Sequence, residues 1–490
     1  MSKAVSRRRF LSTVAGAMAV PAALAQPVPA GADVVIVGGD PAALAAAYRL
    51  SRTSGLRVVL IDDRSAWLAP APAPRTVAEL PAFARGHRVC FDRWAEIARS
   101  PWGYDDVLPF FTRLERYEGG ASAHRGGEGP VAVAHCWDPH LLHRAFLPAV
   151  VTAGYQQDSR HDFNGPRSQG VAGYYQKAQT DSGPQTFEDA LLVPATAAGV
   201  VVVTGVATRL IVDGTRVRGV VVRHDGATRE ILATHAVLLA ASPIRSAHLL
   251  QLSGIGPADA LRAAGLPVAV DLPGVGRNLH SPVRMAVRWR ARGPALTLPA
   301  SSVTAGMFTV SLQASPPDLQ MDLVDPQAAR GPWLGVDVTL VQPSSRGEAR
   351  ARSADPDLAP LVEPRTLSQS ADLRALVQGV RLARLIIGGN PLESQRDDEH
   401  ADTRAATSQA ALESLVTSAA RPTADTAGTC AMGADADPLA VVDGRLAVRG
   451  LTGLHVAGAA VMPVIVNAPP AAAALMIGDR AAEFLLNGRA

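Results

Sequence analysis

Lysine is almost missing from this chain: Lys3 and Lys177 are the only two, so nearly all of its 47 basic residues are arginine. That argues against a Walker-type phosphate loop and lysine Schiff-base chemistry, both of which need a positioned ammonium. Cysteine is scarce as well. Cys90, Cys136 and Cys430 give neither a disulfide framework nor metal-ligand spacing, and at most one bridge can form. No metal site is expected. The net charge is only +3 over 490 residues, part of it from Arg7, Arg8 and Arg9, which predicts no nucleic-acid partner. No segment beyond the N-terminus is apolar and long enough to span a bilayer. What is present is an ordinary globular composition, 48% apolar and 19% charged, on a chain long enough for two domains.

The N-terminus carries an address. Ser6-Arg7-Arg8-Arg9-Phe10-Leu11 fits the twin-arginine export pattern, a mildly apolar run follows through Val20, and Ala23-Leu24-Ala25 offers a small-residue cleavage site. The run is too short and too rich in Ala and Gly for a stable membrane span. Residues 1–25 are therefore expected to be a signal peptide, and the mature protein periplasmic or secreted. The competing reading is an arginine-rich tail beside an apolar stretch. Twin-arginine export carries proteins that fold first, often around a cofactor.

The mature chain opens with Val34-Val35-Ile36-Val37, a continuous apolar run of the kind that forms a buried parallel strand. Gly38-Gly39 makes a turn, Ala42 to Leu50 reads as a helix, and Val58-Val59-Leu60-Ile61 is a second buried strand ending at Asp62. This is a βαβ unit, the opening of a doubly wound dinucleotide fold. Strands recur around Val200–Thr204, Leu210–Val212, Val217–Arg223 and Ala236–Ala240. The alternation in Leu319-Gln320-Met321-Asp322-Leu323 predicts a half-exposed antiparallel sheet within Val283–Val341. A long amphipathic helix follows from Ser370 to Ile387, and Glu393–Ser408 reads as a solvated loop or helix surface. The chain returns to a buried strand at Leu454–Ala457 and a terminal helix near Met476–Leu486. The expected fold class is α/β. A discontinuous Rossmann-like domain (residues 32–160, 195–282 and 420–490) would carry an inserted domain with a mixed or antiparallel sheet (161–194 and 283–419).

Several blocks, in order, are similar to the glucose–methanol–choline (GMC) oxidoreductases over nearly the whole mature chain. They are Pro101-Trp102-Gly103-Tyr104-Asp105-Asp106-Val107-Leu108-Pro109, Asp162-Phe163-Asn164-Gly165, and Ser242-Pro243 through Ser246 with Leu249-Leu250-Gln251-Leu252-Ser253-Gly254-Ile255-Gly256. Asp271-Leu272-Pro273-Gly274-Val275-Gly276-Arg277-Asn278-Leu279, Ser344-Ser345-Arg346-Gly347, and Gly428-Thr429-Cys430 with Met432-Gly433 complete the series. The resemblance implies non-covalent FAD, its pyrophosphate at the N-terminus of the first helix, where free N–H groups favour anions. It also implies oxidation of a small-molecule alcohol at CH–OH, the flavin supplying the redox chemistry and the protein the proton transfer. Export suits a dehydrogenase that passes electrons to a respiratory acceptor.

The positions the family uses are partly altered. Its G-x-G-x-x-G pattern falls on Gly38, Asp40 and Ala43, with Gly39 inside the turn. Ala43 is a small-residue variant. Asp40 puts a carboxylate where backbone should approach the pyrophosphate; it is either a tolerated loop variant or the mark of a turn that caps its helix and binds no dinucleotide. Asp62 is placed to accept from ribose hydroxyls, and Ala207 for a backbone contact near the adenine. The family's Gly-Gly-Ser-Ser element has no counterpart between Arg75-Thr76-Val77-Ala78-Glu79-Leu80 and Arg85-Gly86-His87. Toward the flavin ring, Asp425 aligns with the catalytic histidine, Pro469 with the second histidine or asparagine, and Gly458 with an aspartate that contacts the flavin. Proline offers no side-chain donor or acceptor. The candidate catalytic residues are accordingly Asp425 and Asn467, with His280 nearby; the cofactor candidates are Gly38, Gly39, Asp62, Ala207 and Gly458. Three activities remain open: an alcohol oxidoreductase with an altered site, an inactive exported paralogue acting as a binding or accessory protein, and a flavin protein without net redox turnover.

Overall fold

The computed structural model describes residues 28–53, 55–64, 82–135, 139, 141–166, 170–181, 183–292, 305–311, 316–324 and 332–488. Residues 1–25, where an export signal is expected, the segment containing Arg75–Leu80 and Cys136 lie outside them. Strand β1 (Gly31–Val37) is buried along its second half, because a strand sandwiched between helices cannot alternate with water. Helix α1 (Pro41–Ser51) follows, then β2 (Val58–Asp62), β3 (Val201–Thr204), β4 (Val206–Asp213), β5 (Arg216–His224) and β6 (Ala227–Leu239). Helix α2 (Pro243–Leu252), strand β7 (Leu454–Val456) and helix α3 (Ala471–Asn487) complete this half.

These strands form one sheet in the order β4-β5-β6-β1-β2-β3, with β7 added to β6. The pairs β6-β1, β1-β2, β2-β3 and β6-β7 are parallel, and β4-β5-β6 is an antiparallel extension. First and last strands of the chain thus meet on either side of β6. The core is Ile, Val, Leu and Ala from the strands and from α1 and α3. Close contact between those helices depends on Gly478: a Cβ there would lie 2.1 Å from the Ala42 carbonyl oxygen.

A second sheet runs in the order Arg396–Glu399, Val283–Ala291, Trp333–Leu340, Leu319–Val324, Ala305–Thr309, Val171–Tyr174, Gln156–Gln157. It is antiparallel except at its last pair. Helix Ser370–Ile387 packs on it through Leu376, Val377, Val380 and Ile387. The expectation of a half-exposed sheet is corrected here. Leu319, Gln320 and Met321 are all buried, and Asp322 accepts a hydrogen bond from Tyr175 at 2.8 Å. The opposite face is closed by Phe163, Tyr175 and Phe308 packed with Ala84 and Ala468, so polar alternates meet aromatic rings in place of water. The stretch from Glu393 also carries more structure than a loop, with strand Arg396–Glu399 and helix Ala401–Arg404.

The motif blocks act as clasps. Asn164 accepts from the Arg85 backbone N–H (2.8 Å) and donates to the Phe83 carbonyl (2.8 Å) and to Gln176 Oε1 (2.9 Å). Thr429 Oγ1 donates to the Pro243 carbonyl at 2.6 Å, tying the C-terminal motif to the start of α2. Buried Glu115 accepts from Arg85 Nη2 at 2.5 Å and, bidentately, from Arg125 at 2.9 and 2.7 Å. No helix among the described residues is long and apolar enough to cross a membrane.

Candidate active site

The turn after β1 stands at the carboxyl ends of parallel strands, where open α/β sheets bind ligands. Gly38 must be glycine: its φ is +127°, and a Cβ would lie 2.3 Å from the Ala240 carbonyl oxygen. Asp40 then occupies the N-cap of α1, yet its side chain makes no capping hydrogen bond. The capping role considered for it is not what the geometry shows. Half-buried, its carboxyl is pushed up to about 6, first by burial and then by the nearby Asp63, with Asp62 adding to the effect and Arg64 opposing it. Pro41 at the first helical position lacks an N–H, so the helix start offers one donor fewer to an anion.

Asp62 ends β2, where sequence reasoning placed it. Its carboxylate accepts from Arg64 Nε (2.9 Å) and Nη2 (2.8 Å). Burial would raise its pKa, but the hydrogen bonds and charge of Arg64 outweigh that and hold it below the usual carboxylate range. Arg64 Nη1 also pairs with Glu188, at the start of the short helical segment 188–197. The guanidinium lies directly on the turn: a Cβ at Gly39 would fall 2.4 Å from Arg64 Nε. Ala207 is buried on β4, and its carbonyl accepts from Arg245 Nη2. Arg245 Nε is 2.9 Å from Asp63, whose carboxyl is raised by burial although the Arg245 charge counters it. Both arginines escaped the sequence reading. The signal was there in Arg64, two residues past the strand-end aspartate, and in Arg245 inside the Ser242–Gly256 block.

As placed, the described residues do not fit the adenosine diphosphate half of FAD. The turn, the strand-end acid Asp62 and the Ala207 carbonyl are each engaged by an arginine of the chain itself. A pyrophosphate here would also meet the Asp40 carboxylate.

The expected catalytic residues lie on the loops around Gly428 and after β7. Gly458 follows β7 with φ +85°, a conformation closed to aspartate except under strain, and a Cβ there would sit 3.1 Å from Ala42 Cβ. Asp425 is half-buried in the loop leading to Gly428, with its N–H 3.3 Å from Thr423 Oγ1. That loop is held by a two-way backbone bridge between Ala427 and His280. His280 has 0% exposure; its Nε2 lies 3.3 Å from the Pro463 carbonyl, and its Nδ1 has no partner among the described residues. Burial, then the charge of Arg346, holds its pKa well below the usual imidazole value, so the ring is neutral and donates from Nε2.

Asn467 is also fully buried. Its Oδ1 accepts from the His87 backbone N–H (2.7 Å) and faces Cys90 Sγ (3.4 Å), while Nδ2 donates to the Pro317 carbonyl (3.1 Å). Pro469 is half-buried. Both described thiols are buried, Cys90 pushed up to about 11 and Cys430 to about 12 chiefly by desolvation, which removes them as nucleophiles. Among the described residues no group of His, Cys, Asp and Glu is arranged to hold a metal ion.

Two models described as GMC oxidoreductase match this sequence, over residues 76–283 and 343–478. It is 29% identical to the oxygen-dependent choline dehydrogenase of Rhizobium etli, over 93% of this chain and 95% of that protein. Against the mitochondrial choline dehydrogenase of Mus musculus the identity is 30%, over 82% of this chain and 73% of that one. Among solved structures, pyridoxine 4-oxidase from Mesorbium loti superposes with a TM-score of 0.82 at 25% identity, over 92% of this chain and 99% of that one. Formate oxidase from Aspergillus oryzae shares the fold, with a TM-score of 0.81 at 19% identity over 94% and 99%.

Proposed function

Since the chain belongs to the GMC oxidoreductase family, whose members are FAD-dependent enzymes acting on alcohols, we propose that it keeps their scaffold without their alcohol oxidation. In this reading it serves, after twin-arginine export, as a binding or accessory protein. One observation carries it. Asn467, which the sequence offers in place of the family's second group, is spent at both ends on the chain's own backbone, on His87 and Pro317, and His280 is fully buried with Nε2 on the Pro463 carbonyl. Pro469 adds no donor or acceptor. Proton abstraction from an alcohol needs a base within hydrogen-bond reach of the hydroxyl, and a fully buried amide engaged at both ends supplies none.

One specific observation favours a second reading. Asp425 stands at the position aligned with the family histidine, half-buried on a loop anchored through Ala427. A carboxylate there would take the hydroxyl proton, and the protein would then be a periplasmic alcohol dehydrogenase delivering electrons to a respiratory acceptor. FAD, where bound, supplies the hydride acceptor. The chain's share would be the Asp425 base alone.

A panel of primary and secondary alcohols, choline and pyridoxine among them, separates the two. With FAD and an artificial electron acceptor added, the first reading expects no acceptor reduction above background, and Asp425→Ala unchanged from wild type. Turnover that disappears in Asp425→Ala establishes the second.

A further inference from the structure

We propose that Arg64 and Arg245 replace a bound nucleotide in this fold, balancing the carboxylates of the βαβ turn and holding the adenosine end of the cradle shut. The proposal deepens the reading above and rests on it for the family's cofactor positions, but it concerns nucleotide binding and not proton transfer.

Four acids converge on the turn: Asp40 at the start of α1, Asp62 and Asp63 at the end of β2, and Glu188 from the segment before β3. Arg64 bridges two of them, with Nε and Nη2 on Asp62 and Nη1 on Glu188, so all three nitrogens of its guanidinium are used. Arg245, 4% exposed, takes Asp63 and the Ala207 carbonyl. His248, one helical turn along α2, lies 3.4 Å from Arg245 Nη1 and faces the same cluster. Two guanidinium groups face four carboxyl groups, two of them (Asp40 and Asp63) disfavoured as anions by burial, so the cluster has no surplus positive charge to offer a diphosphate. The helix N-terminus adds only a partial positive charge, about half an elementary charge. An enzyme that holds FAD draws its cofactor's phosphates against this turn. Here the same space is bridged from β2 to the 188–197 segment by an arginine, so the domain closes without a ligand.

The test is thermal unfolding of the purified full-length protein at pH 8 and pH 5, with and without about 1 mM ADP or FAD. A nucleotide that binds the folded state raises Tm by mass action. The expected result is no shift of wild-type Tm by either nucleotide. Arg64→Gln should lower Tm at pH 8, where Asp40, Asp62 and Asp63 repel one another without its charge, and recover part of that loss at pH 5, below the Asp40 pKa of about 6. Arg64→Lys, which keeps the charge and loses the fork, should retain most of the wild-type value at both pH values. A saturable rise of wild-type Tm with ADP or FAD would overturn the proposal. So would an Arg64→Gln loss of equal size at both pH values, since a purely packing role has no such pH dependence. If Arg64→Gln does not fold, the wild-type nucleotide titration and Arg64→Lys decide the matter. Alcohol turnover sinks the scaffold reading, whereas nucleotide binding without turnover sinks this one.

Discussion

Replacing Asp40 with asparagine should make the protein more stable, and only above about pH 4. The carboxyl sits at the start of α1 with no capping bond, and its pKa is raised from 3.8 to about 6, mainly by burial and then by Asp63. A rise of roughly two units corresponds to about 3 kcal/mol at 1.36 kcal/mol per unit. Asp40 is half-buried and partly screened by solvent, which reduces the expected gain to about 1–2 kcal/mol. The sign follows from linkage. A folded-state pKa above the unfolded value means that the native protein binds the proton more tightly, so wild type loses stability as pH rises from about 4 through 6. The asparagine amide carries no charge to be penalised. Paired urea titrations of wild type and Asp40→Asn at pH 4 and pH 8 measure the difference directly. The reasoning predicts near-equality at pH 4 and an advantage for the variant at pH 8. A flat difference across that range, or a less stable variant at pH 8, would refute it.

Two further variants address the clasps around the site. Glu115→Gln removes the charge between buried Arg85 and Arg125 and should cost about 3–5 kcal/mol, seen as a lower denaturation midpoint. Asn467→Ala strips the His87 N–H and the Pro317 carbonyl of their partner and should cost about 2–4 kcal/mol by the same assay; an effect below about 0.5 kcal/mol would show that the amide is not structurally committed.

The fold was legible because its signals are local and redundant. Val34–Val37 and Val58–Ile61 are continuous apolar runs separated by a glycine turn and a helix, a pattern that suits a buried parallel pair, which is how they pair. The second sheet was half legible. Alternation in Leu319–Leu323 gave its strand, but not that Gln320 and Asp322 face an aromatic layer drawn from Phe163, Tyr175 and Phe308, far away in sequence. At the site, motif spacing singled out Gly38, Asp62 and Ala207, which the structure places on the turn after β1, at the end of β2 and on β4. What spacing could not convey is who occupies their polar groups. Arg64 and Arg245 matter through side-chain direction, which depends on the tertiary approach of β2, α2 and the 188–197 segment. Asn467 looked available in the sequence because nothing local reveals that the backbone at His87 and Pro317 claims both ends of its amide.

The central claim is that this GMC-family chain carries its own charged side chains where relatives carry a nucleotide. Its most direct test is the visible spectrum of the protein purified from a host that makes FAD, before and after equilibration with excess FAD and removal of the unbound fraction. The account predicts a colourless protein on both occasions, without the near-ultraviolet and blue absorption bands of a flavin. A yellow preparation with about one flavin per chain would contradict it.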